Sequence, residues 1–544
     1  MSTIVLDARI FKKMLIGGAA MLALHKEELN DLNVFPVADG DTGSNMSMTL
    51  DGALASFKDS YGSIGELARD FNEAIMLCAR GNSGVILSQI FTGICDVLKK
   101  HDTVSVDLLA EAYRSGIKKS YAAVQNPTEG TILTVFREST EYASANTSNN
   151  STFEDFFRLH TEEAERSLKR TKELLPALKE ADVIDSGAAG YVYVAQGMRD
   201  ILEGKEIVYT PASYQEAKSV KIDAFDRNST LEYGYCTELL LRLTTSKVDP
   251  DLFDISTAIS ALEDLGGESI VAYKNDDIVK VHVHTFCPGE IMNAMQKYGE
   301  FLTVKVENMS LGHTGTEKEK PRSNKAYSVI SVCEGDGICA LFKEMGADVT
   351  VEGGQSKNPS TKELIDAFKR CTTDNIIVLP NNKNIIFAAE QAKKLYTGAA
   401  VHVINSKNIA EGYAALSVIN PAFKDISVIV ESAERAVKSI VSAEITRAVR
   451  SVTLDGRSIE EGDYIAISGG EISAVASTPE DAVLAMLASE DTDLCEIITL
   501  FVGKNVSDDK RTYLTERLGE TYPDCKITAY NGDQSVYDYI IAME

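Results

Sequence analysis

Apolar side chains recur at helical spacing through Ile10–Leu24, Leu67–Cys78, Val85–Leu98 and Leu108–Val124, and again through Phe153–Leu174 and Tyr191–Leu202. A helix that buries one face needs an apolar residue at every third or fourth position, so residues 1–205 are predicted to form a mostly helical domain. The polar run Asn146–Thr152 (NTSNNST) is predicted to be an exposed loop within it. The period then changes. Glu232–Thr244 and Ile278–His284 alternate apolar and polar positions as half-buried strands do, with a helical stretch at Leu252–Leu265 between them. Residues 206–312 therefore read as an α+β middle domain. Gly312–Lys325 (GHTGTEKEKPRSNK) has almost nothing to bury and predicts a linker over 313–325. Beyond it, the short apolar runs Tyr327–Val332, Ile376–Leu379, Val401–Val403 and Ile497–Val502 alternate with helical segments, the pattern of an α/β domain over 326–544.

That last region carries the outline of a diverged internal repeat. A strand beginning at Val329–Val332 leads through a helix and a second strand to Gly354-Gln355-Ser356. A strand beginning at Ile497–Leu500 leads by the same route to Asp533-Gln534-Ser535.

Composition narrows the class. A chain of 544 residues is long enough for about three or four domains. With 44% hydrophobic and 25% charged residues it is expected to be globular. No apolar run approaches the roughly 20 residues a membrane span needs. Met1–Met14 contains Asp7 and lacks a basic start followed by an apolar block, so no signal peptide is expected. The nine cysteines are scattered without framework spacing, which fits a reducing cytoplasm. Lys and Arg total 54 against 81 Asp and Glu, a net charge of −27 that disfavours nucleic acid and anionic membrane surfaces. Solubility alone accounts for such a charge; a protein partner with basic surface is the sharper reading.

The chemistry concentrates in turns. In Asn33–Asn45 (NVFPVADGDTGSN) the carboxylates Asp39 and Asp41 flank Gly40, which lets the backbone bend so that both address one centre. Hard oxygen ligands of this kind suit magnesium, and Asn33 offers a neutral oxygen. Thr42, Ser44 and Asn45 offer donors to phosphate, and a helix starting here would present free amides. Taken alone, DGD is more ordinarily an Asx turn with Asp41 as N-cap. Three further turns of small and polar residues change that balance: Arg80-Gly81-Asn82-Ser83-Gly84, Glu129-Gly130-Thr131, and Asp185-Ser186-Gly187-Ala188-Ala189-Gly190. Glycine ends helices routinely, but four such turns in one helical domain imply a rim where helix ends converge on a nucleotide. There is no Walker A pattern and no protein-kinase signature set. Glu334-Gly335-Asp336-Gly337 reads as a strand-to-helix turn. In the middle domain His282 and His284 fall on one face of a strand. With Cys236 on the other strand they form a reasonable zinc set, against the simpler reading of ordinary strand histidines. Cys287 is the rival thiol, beside the turn at Pro288-Gly289.

The segments NVFPVADGDTGSNM, ARGNSGVILSQ, GTILTV and DSGAAGYV resemble the nucleotide-binding domain of dihydroxyacetone kinases, the L-type subunit. With VHVHTFCPGEI, EGGQSKNPST and LPNNKNIIFAAEQA, the chain resembles the fatty acid kinase A subunit over nearly its full length. The resemblance implies an all-α helical-barrel N-terminal domain that binds ATP with magnesium. Asp39 and Asp41 would be the metal ligands at the catalytic centre, with Asn33 the nearest oxygen where related kinases have a third Asp. Thr42, Gly43, Ser44, Asn45, Asn82, Ser83, Gly84, Gly130 and Thr131 would surround the phosphates, and Asp185 and Gly187 would lie near the nucleotide. Related kinases carry an Arg shortly before the last motif. Thr171–Leu178 has none, which leaves open whether Arg80 or Arg137 substitutes. The resemblance also implies a metal in the middle domain, a homodimer, and a separate lipid-carrying protein that docks on the C-terminal domain with its fatty acid. The implied reaction moves the γ-phosphoryl group of ATP to a fatty acid carboxylate, giving acyl phosphate. A carboxylate is already ionised near neutral pH, so alignment and charge neutralisation suffice without a strong base. The alternatives are a dihydroxyacetone-type small-molecule kinase, a nucleotide-binding regulatory module, and a zinc-stabilised scaffold.

Overall fold

Among the described residues, side-chain caps start six of the ten N-terminal helices. The computed structural model describes residues 5–32, 40–205, 207, 209, 235–308 and 325–544, apart from 125, 149, 181, 251, 276, 356, 421–422, 450, 455–456 and 490–494. Asn33, Asp39 and nearly all of the expected linker at 313–325 lie outside them. The helices are α1 (Ala8–Leu24), α2 (Lys26–Leu32), α3 (Thr42–Leu54), α4 (Ile64–Cys78), α5 (Gly81–Leu98), α6 (Val106–Ala123), α7 (Ile132–Asn146), α8 (Phe153–Leu174), α9 (Pro176–Glu180) and α10 (Ser186–Leu202). Asp7, Ser63, Ser105, Thr131, Thr152 and Asp185 each accept a backbone N–H of the first turn that follows. Such caps contribute about 1 kcal/mol apiece.

Helix α1 packs on α10, α10 on α8, α8 on α7, α7 on α6, α6 on α5, α5 on α4, α4 on α3, and α3 on α1. Their shared core is aromatic: Phe71 and Phe91 meet edge to face, and Tyr113, Phe136, Phe156, Phe157 and Tyr191 surround the buried His160. Close approach of α1 and α10 depends on small residues. A methyl group on Gly197 would strike the Gly17 carbonyl and stand 2.8 Å from Gly18 Cα.

The C-terminal region holds two sheets. Strands β5 (Ser328–Cys333), β6 (Val349–Glu352), β7 (Asn375–Leu379) and β8 (Ala400–Val403) form a parallel sheet in the order β6-β5-β7-β8. Every residue of β5 is buried, as expected for a strand covered on both faces. The second sheet has the order β13-β12-β9-β16-β14-β15, with β9 (Val441–Arg447), β12 (Tyr464–Ser468), β13 (Glu471–Ala476), β14 (Ile497–Val502), β15 (Lys526–Asn531) and β16 (Tyr539–Met543). Only β14 and β15 run parallel in it. Both arms of the repeat seen in the sequence are therefore parallel β-α-β units, with helices at Asp336–Glu344 and Asp508–Thr521. Gln355 and Gln534, which follow them, line one small cavity.

The helical and C-terminal regions form one compact unit, Met1–Tyr214 with Arg322–Glu544. Ala79 and Val85, flanking the α4–α5 turn, share an apolar cluster with Ile330, Val332, Leu364, Phe368 and Ile385.

Gln215–Pro321 form the second unit. Its antiparallel sheet has the order β2-β3-β1-β4, from β1 (Tyr235–Leu243), β2 (Glu268–Asn275), β3 (Ile278–Thr285) and β4 (Gly299–Asn308). Leu239, Leu241, Val279, Val281 and Val283 pack with Leu262 and Ile291 of its helices at Ile255–Asp264 and Pro288–Gln296. The alternation read in the sequence is the buried face of this sheet.

Candidate active site

Asp41 stands at the N-cap position of α3 and does not cap it. Gly40, at φ +51°, turns the chain into the helix. The Asp41 carboxylate instead accepts a hydrogen bond of 2.5 Å from Asn358 Nδ2, a residue of the C-terminal region. Thr42 and Asn45 follow in the first turn, both buried. Ser44 faces away: its N–H donates to Asn30 Oδ1, and its Oγ accepts from Asn30 Nδ2, each at 3.0 Å. A methyl group on Gly43 would collide with the Lys26 carbonyl, so this glycine lets α2 pack on α3.

The second turn starts α5. Gly81 has φ +55°, and a Cβ there would strike the Asn45 amide. Gly84 similarly meets Thr49 Oγ1 and brings α5 against α3. Asn82 Nδ2 donates to Asn384 Oδ1 at 3.0 Å, while its own Oδ1 is buried with no partner among the described residues.

The third turn is structural at close range. Gly130, φ +86°, packs on Leu174 and Leu175, and Thr131 caps α7. Its link to the site runs through Ile132, whose N–H bonds the Asp185 carboxyl. In the fourth turn Asp185 caps α10 by accepting from the Ala188 N–H at 2.6 Å. Burial pushes the Asp185 carboxyl up to about 6, although the two backbone donors oppose this. Ser186 Oγ donates to the Leu29 carbonyl at 2.6 Å. A methyl on Gly187 would stand 3.4 Å from both Ser83 Oγ and Asp185 Oδ1.

The first, second and fourth turns meet at a cleft of about 390 Å³. Asp41, Thr42, Asn45, Asn82, Ser83, Asp185 and Gly187 all line it, whereas Gly43, Ser44, Gly84, Gly130 and Thr131 do not. The cleft also takes Ser186, Leu32 and Leu178, and from the C-terminal region Lys383 and Asn384. The last two were not anticipated as site residues. The signal was the polar run Asn381-Asn382-Lys383-Asn384, separated from the apolar strand β7 only by Pro380.

A polar seam holds the C-terminal region over the cleft. Buried Arg80 pairs through Nη1 with Glu363 Oε2 at 2.9 Å and donates to the Asn358 carbonyl at 3.1 Å. Burial would raise the Glu363 carboxyl, but the Arg80 charge and hydrogen bonds from Ser360 overcome this and hold it low. The Thr361 N–H donates to the Ala79 carbonyl at 3.1 Å, and Gln391 Nε2 to the Met76 carbonyl at 2.6 Å. Arg137 is engaged by Glu129 at 2.8 Å and donates to Tyr121 at 3.0 Å. Both arginines considered as phosphate ligands thus have carboxylate partners.

In the second unit the β1–β3 register pairs Cys236 with His284 and Glu238 with His282. The side chains of Cys236, His282 and His284 lie outside the described part. Cys287 is exposed, immediately before the helix at Pro288–Gln296. Among the described residues no group of three His, Cys, Asp or Glu side chains is arranged to hold a metal, and no helix is long and apolar enough to cross a membrane.

Residues 36–200 match the DAK2 domain model, which makes this a kinase-class chain with a DAK2-type helical domain. Residues 232–316 match the middle domain, and residues 328–544 the C-terminal domain, of the FakA-like models, which describe proteins like the fatty acid kinase A subunit. Protein YloV of Bacillus subtilis (strain 168) is 34% identical over 561 residues, covering 100% of both chains. The chain belongs to the FakA-like family of fatty acid kinase proteins. Among solved structures, the dihydroxyacetone kinase from C. freundii in complex with AMP-PNP and Mg2+ aligns with TM-score 0.29 and 18% identity, over 38% of this chain and 35% of that one. DegV, a fatty acid binding protein from Bacillus subtilis, aligns with TM-score 0.32 and 11% identity, over 40% of this chain and 99% of that one.

Proposed function

We propose that this chain is the ATP-binding, phosphoryl-transferring subunit of a fatty acid kinase. It moves the γ-phosphoryl group of ATP to a fatty acid carboxylate presented by a separate lipid-carrying protein, and the product is an acyl phosphate. The observation that carries the reading is Asp41, a carboxylate at a helix start that leaves its own helix uncapped and opens onto a cleft lined by Thr42, Asn45, Ser83 and Asp185.

Asp39 and Asp41, with Asn33, would hold magnesium, and the oxygen-only donor set fits a hard cation. When bound, magnesium neutralises charge on the β- and γ-phosphates. The chain's own groups do the rest. Thr42 and Ser83 offer hydroxyl donors, Asn45 and Asn82 offer amides, and the first turns of α3 and α5 offer backbone N–H groups to phosphate oxygens. Asp185 anchors the start of α10 and ties it to α7. The acceptor carboxylate is ionised, so no general base is required of the cleft.

In this reading the helical domain is a barrel around the nucleotide, and the C-terminal domain docks the lipid carrier. The middle domain holds zinc on Cys236, His282 and His284 and supports a homodimer, and the protein works in the cytoplasm. The test is ATP consumption by the purified chain with magnesium and oleate, with and without a lipid-carrying protein. Turnover that needs both lipid and carrier supports the proposal. Turnover on dihydroxyacetone without a carrier would replace it with a small-molecule kinase, and tight ATP binding with no turnover would replace it with a regulatory module.

A further inference from the structure

We propose that Lys383, carried by the C-terminal α/β domain, is the cation that contacts the terminal phosphate in the cleft of the helical domain. The inference rests on the nucleotide reading of that cleft and names a residue which that reading leaves unassigned.

The charge inventory asks for such a group. Among the described residues lining the cleft, Asp41 and Asp185 are acidic, and Lys383 is the one cation. Phosphoryl transfer spreads charge over the equatorial oxygens of the moving group, and a fixed positive group beside them is a principal means of stabilising it. Arg80 and Arg137 are held by Glu363 and Glu129. Lys383 is exposed and has no hydrogen bond or ion pair among the described residues.

An unpaired surface lysine is ordinary; the mount beneath this one is not. Lys383 is the first residue of the helix Lys383–Leu395, and the two residues before it are almost fully buried. Asn381 adopts φ +53°, a left-handed conformation that Asn tolerates better than most L residues, and its side chain is tied down on all sides. Its Nδ2 donates to Ser331 Oγ and to the Val332 carbonyl, each at 2.9 Å. Its N–H donates to Ser406 Oγ at 3.1 Å, and Ser406 Oγ donates back to Oδ1 at 2.8 Å. Asn382 caps the helix by accepting from the Asn384 N–H and donates to Gln355 Oε1, each at 2.8 Å. Asn384 then accepts from Asn82 of the helical domain at 3.0 Å. Lys383 lies between a hydrogen-bonded turn of one domain and a hydrogen bond to the other, and it lines the cleft. The cleft is accordingly complete only while the two domains are docked, and the domain proposed to receive the lipid carrier also supplies the cation.

The test compares AMP-PNP and ADP binding to the full chain, in magnesium, by calorimetry. Lys383 is exposed, so Lys383→Met and Lys383→Glu are expected to fold with unchanged melting. Both should weaken AMP-PNP roughly tenfold or more, about 1.4 kcal/mol per factor of ten. ADP affinity should stay unchanged, and Lys383→Arg should recover most of the AMP-PNP affinity. Equal AMP-PNP binding by wild type and Lys383→Met, or a loss shared equally by ADP, overturns the assignment of Lys383 while leaving the nucleotide site intact. Absence of binding by the wild-type chain itself would instead remove the nucleotide reading beneath it.

Discussion

Asp41 has the position of a helix N-cap but not its extended torsions (φ −124°, ψ −2°), and its carboxylate is bonded to Asn358 across a domain boundary. A capping carboxylate would be spent on its own backbone, whereas this one lines the cleft and is held by Asn358. Asp41→Ala is therefore expected to abolish phosphoryl transfer while the fold survives. The stability cost should be about 1 kcal/mol, from the Asn358 amide left without its acceptor. Activity and urea midpoints measured on the same preparation check this, and an active Asp41→Ala protein would sink the metal assignment. His160 makes a different prediction. Fully buried among aromatic rings, its Nε2 lies 2.7 Å from the Tyr191 hydroxyl, and burial drives its pKa down to about 3. The unfolded chain takes up this proton below about 6.5, and the folded chain only near 3. His160 therefore contributes stability above its unfolded pKa, and that contribution is lost as pH falls toward 3, by at most about 1.4 kcal/mol per pH unit. In His160→Phe that part of the slope in unfolding free energy should disappear. An identical slope in both proteins would contradict the buried neutral imidazole.

Helix α3 shows why some elements escape a periodicity search. Asn45, Ser47, Thr49 and Asp51 are buried along with Met46, Leu50 and Leu54, so polar side chains occupy positions where a simple amphipathic helix would be apolar. Helices α1, α4, α5 and α8 bury apolar stripes and were legible for that reason. The one N-cap weighed in the sequence, Asp41, makes no side-chain cap. Close packing between elements was not legible. Gly17, Gly18 and Gly197 are ordinary letters until α1 meets α10, where no Cβ fits on Gly197. Gly197→Ala should cost about 1–3 kcal/mol by forcing the helices apart, measured as a lower urea midpoint. At the seam between domains, Arg80→Met would strand Glu363. The cost is expected at about 3 kcal/mol, the low end for a broken buried pair, because the Glu363 side chain is still 33% exposed. Glu363→Gln in the same background should recover part of that loss. A double variant no better than Arg80→Met would show that the ion pair does not hold the seam.

For the molecule as a whole, the distribution of chemistry follows its two compact units. The first joins residues from both ends of the chain around one cleft, and the second stands in sequence between them. The register that pairs Cys236 with His284 gives the zinc reading a definite test in the second unit. His282→Ala is expected to lower the zinc content and thermal stability of the purified protein while leaving nucleotide binding in the first unit intact. Unchanged zinc by elemental analysis would count against the metal. The net charge of −27 adds a further expectation: association with a carrier of basic surface should weaken as salt rises.

The sequence by itself determined what depends on neighbours along the chain: the helical and strand periods and the polar, glycine-bearing turns such as the one ending at Asp41. Those features depend on a few consecutive residues and are written where they act. Only the tertiary structure decided that Asp41 meets Asn358, that Arg80 is held by Glu363, and that Lys383 and Asn384 line the cleft. Each of these depends on residues hundreds of positions apart, where local spacing carries no information. Their meeting is set by how Ala79 and Val85 are buried against the core around the parallel sheet.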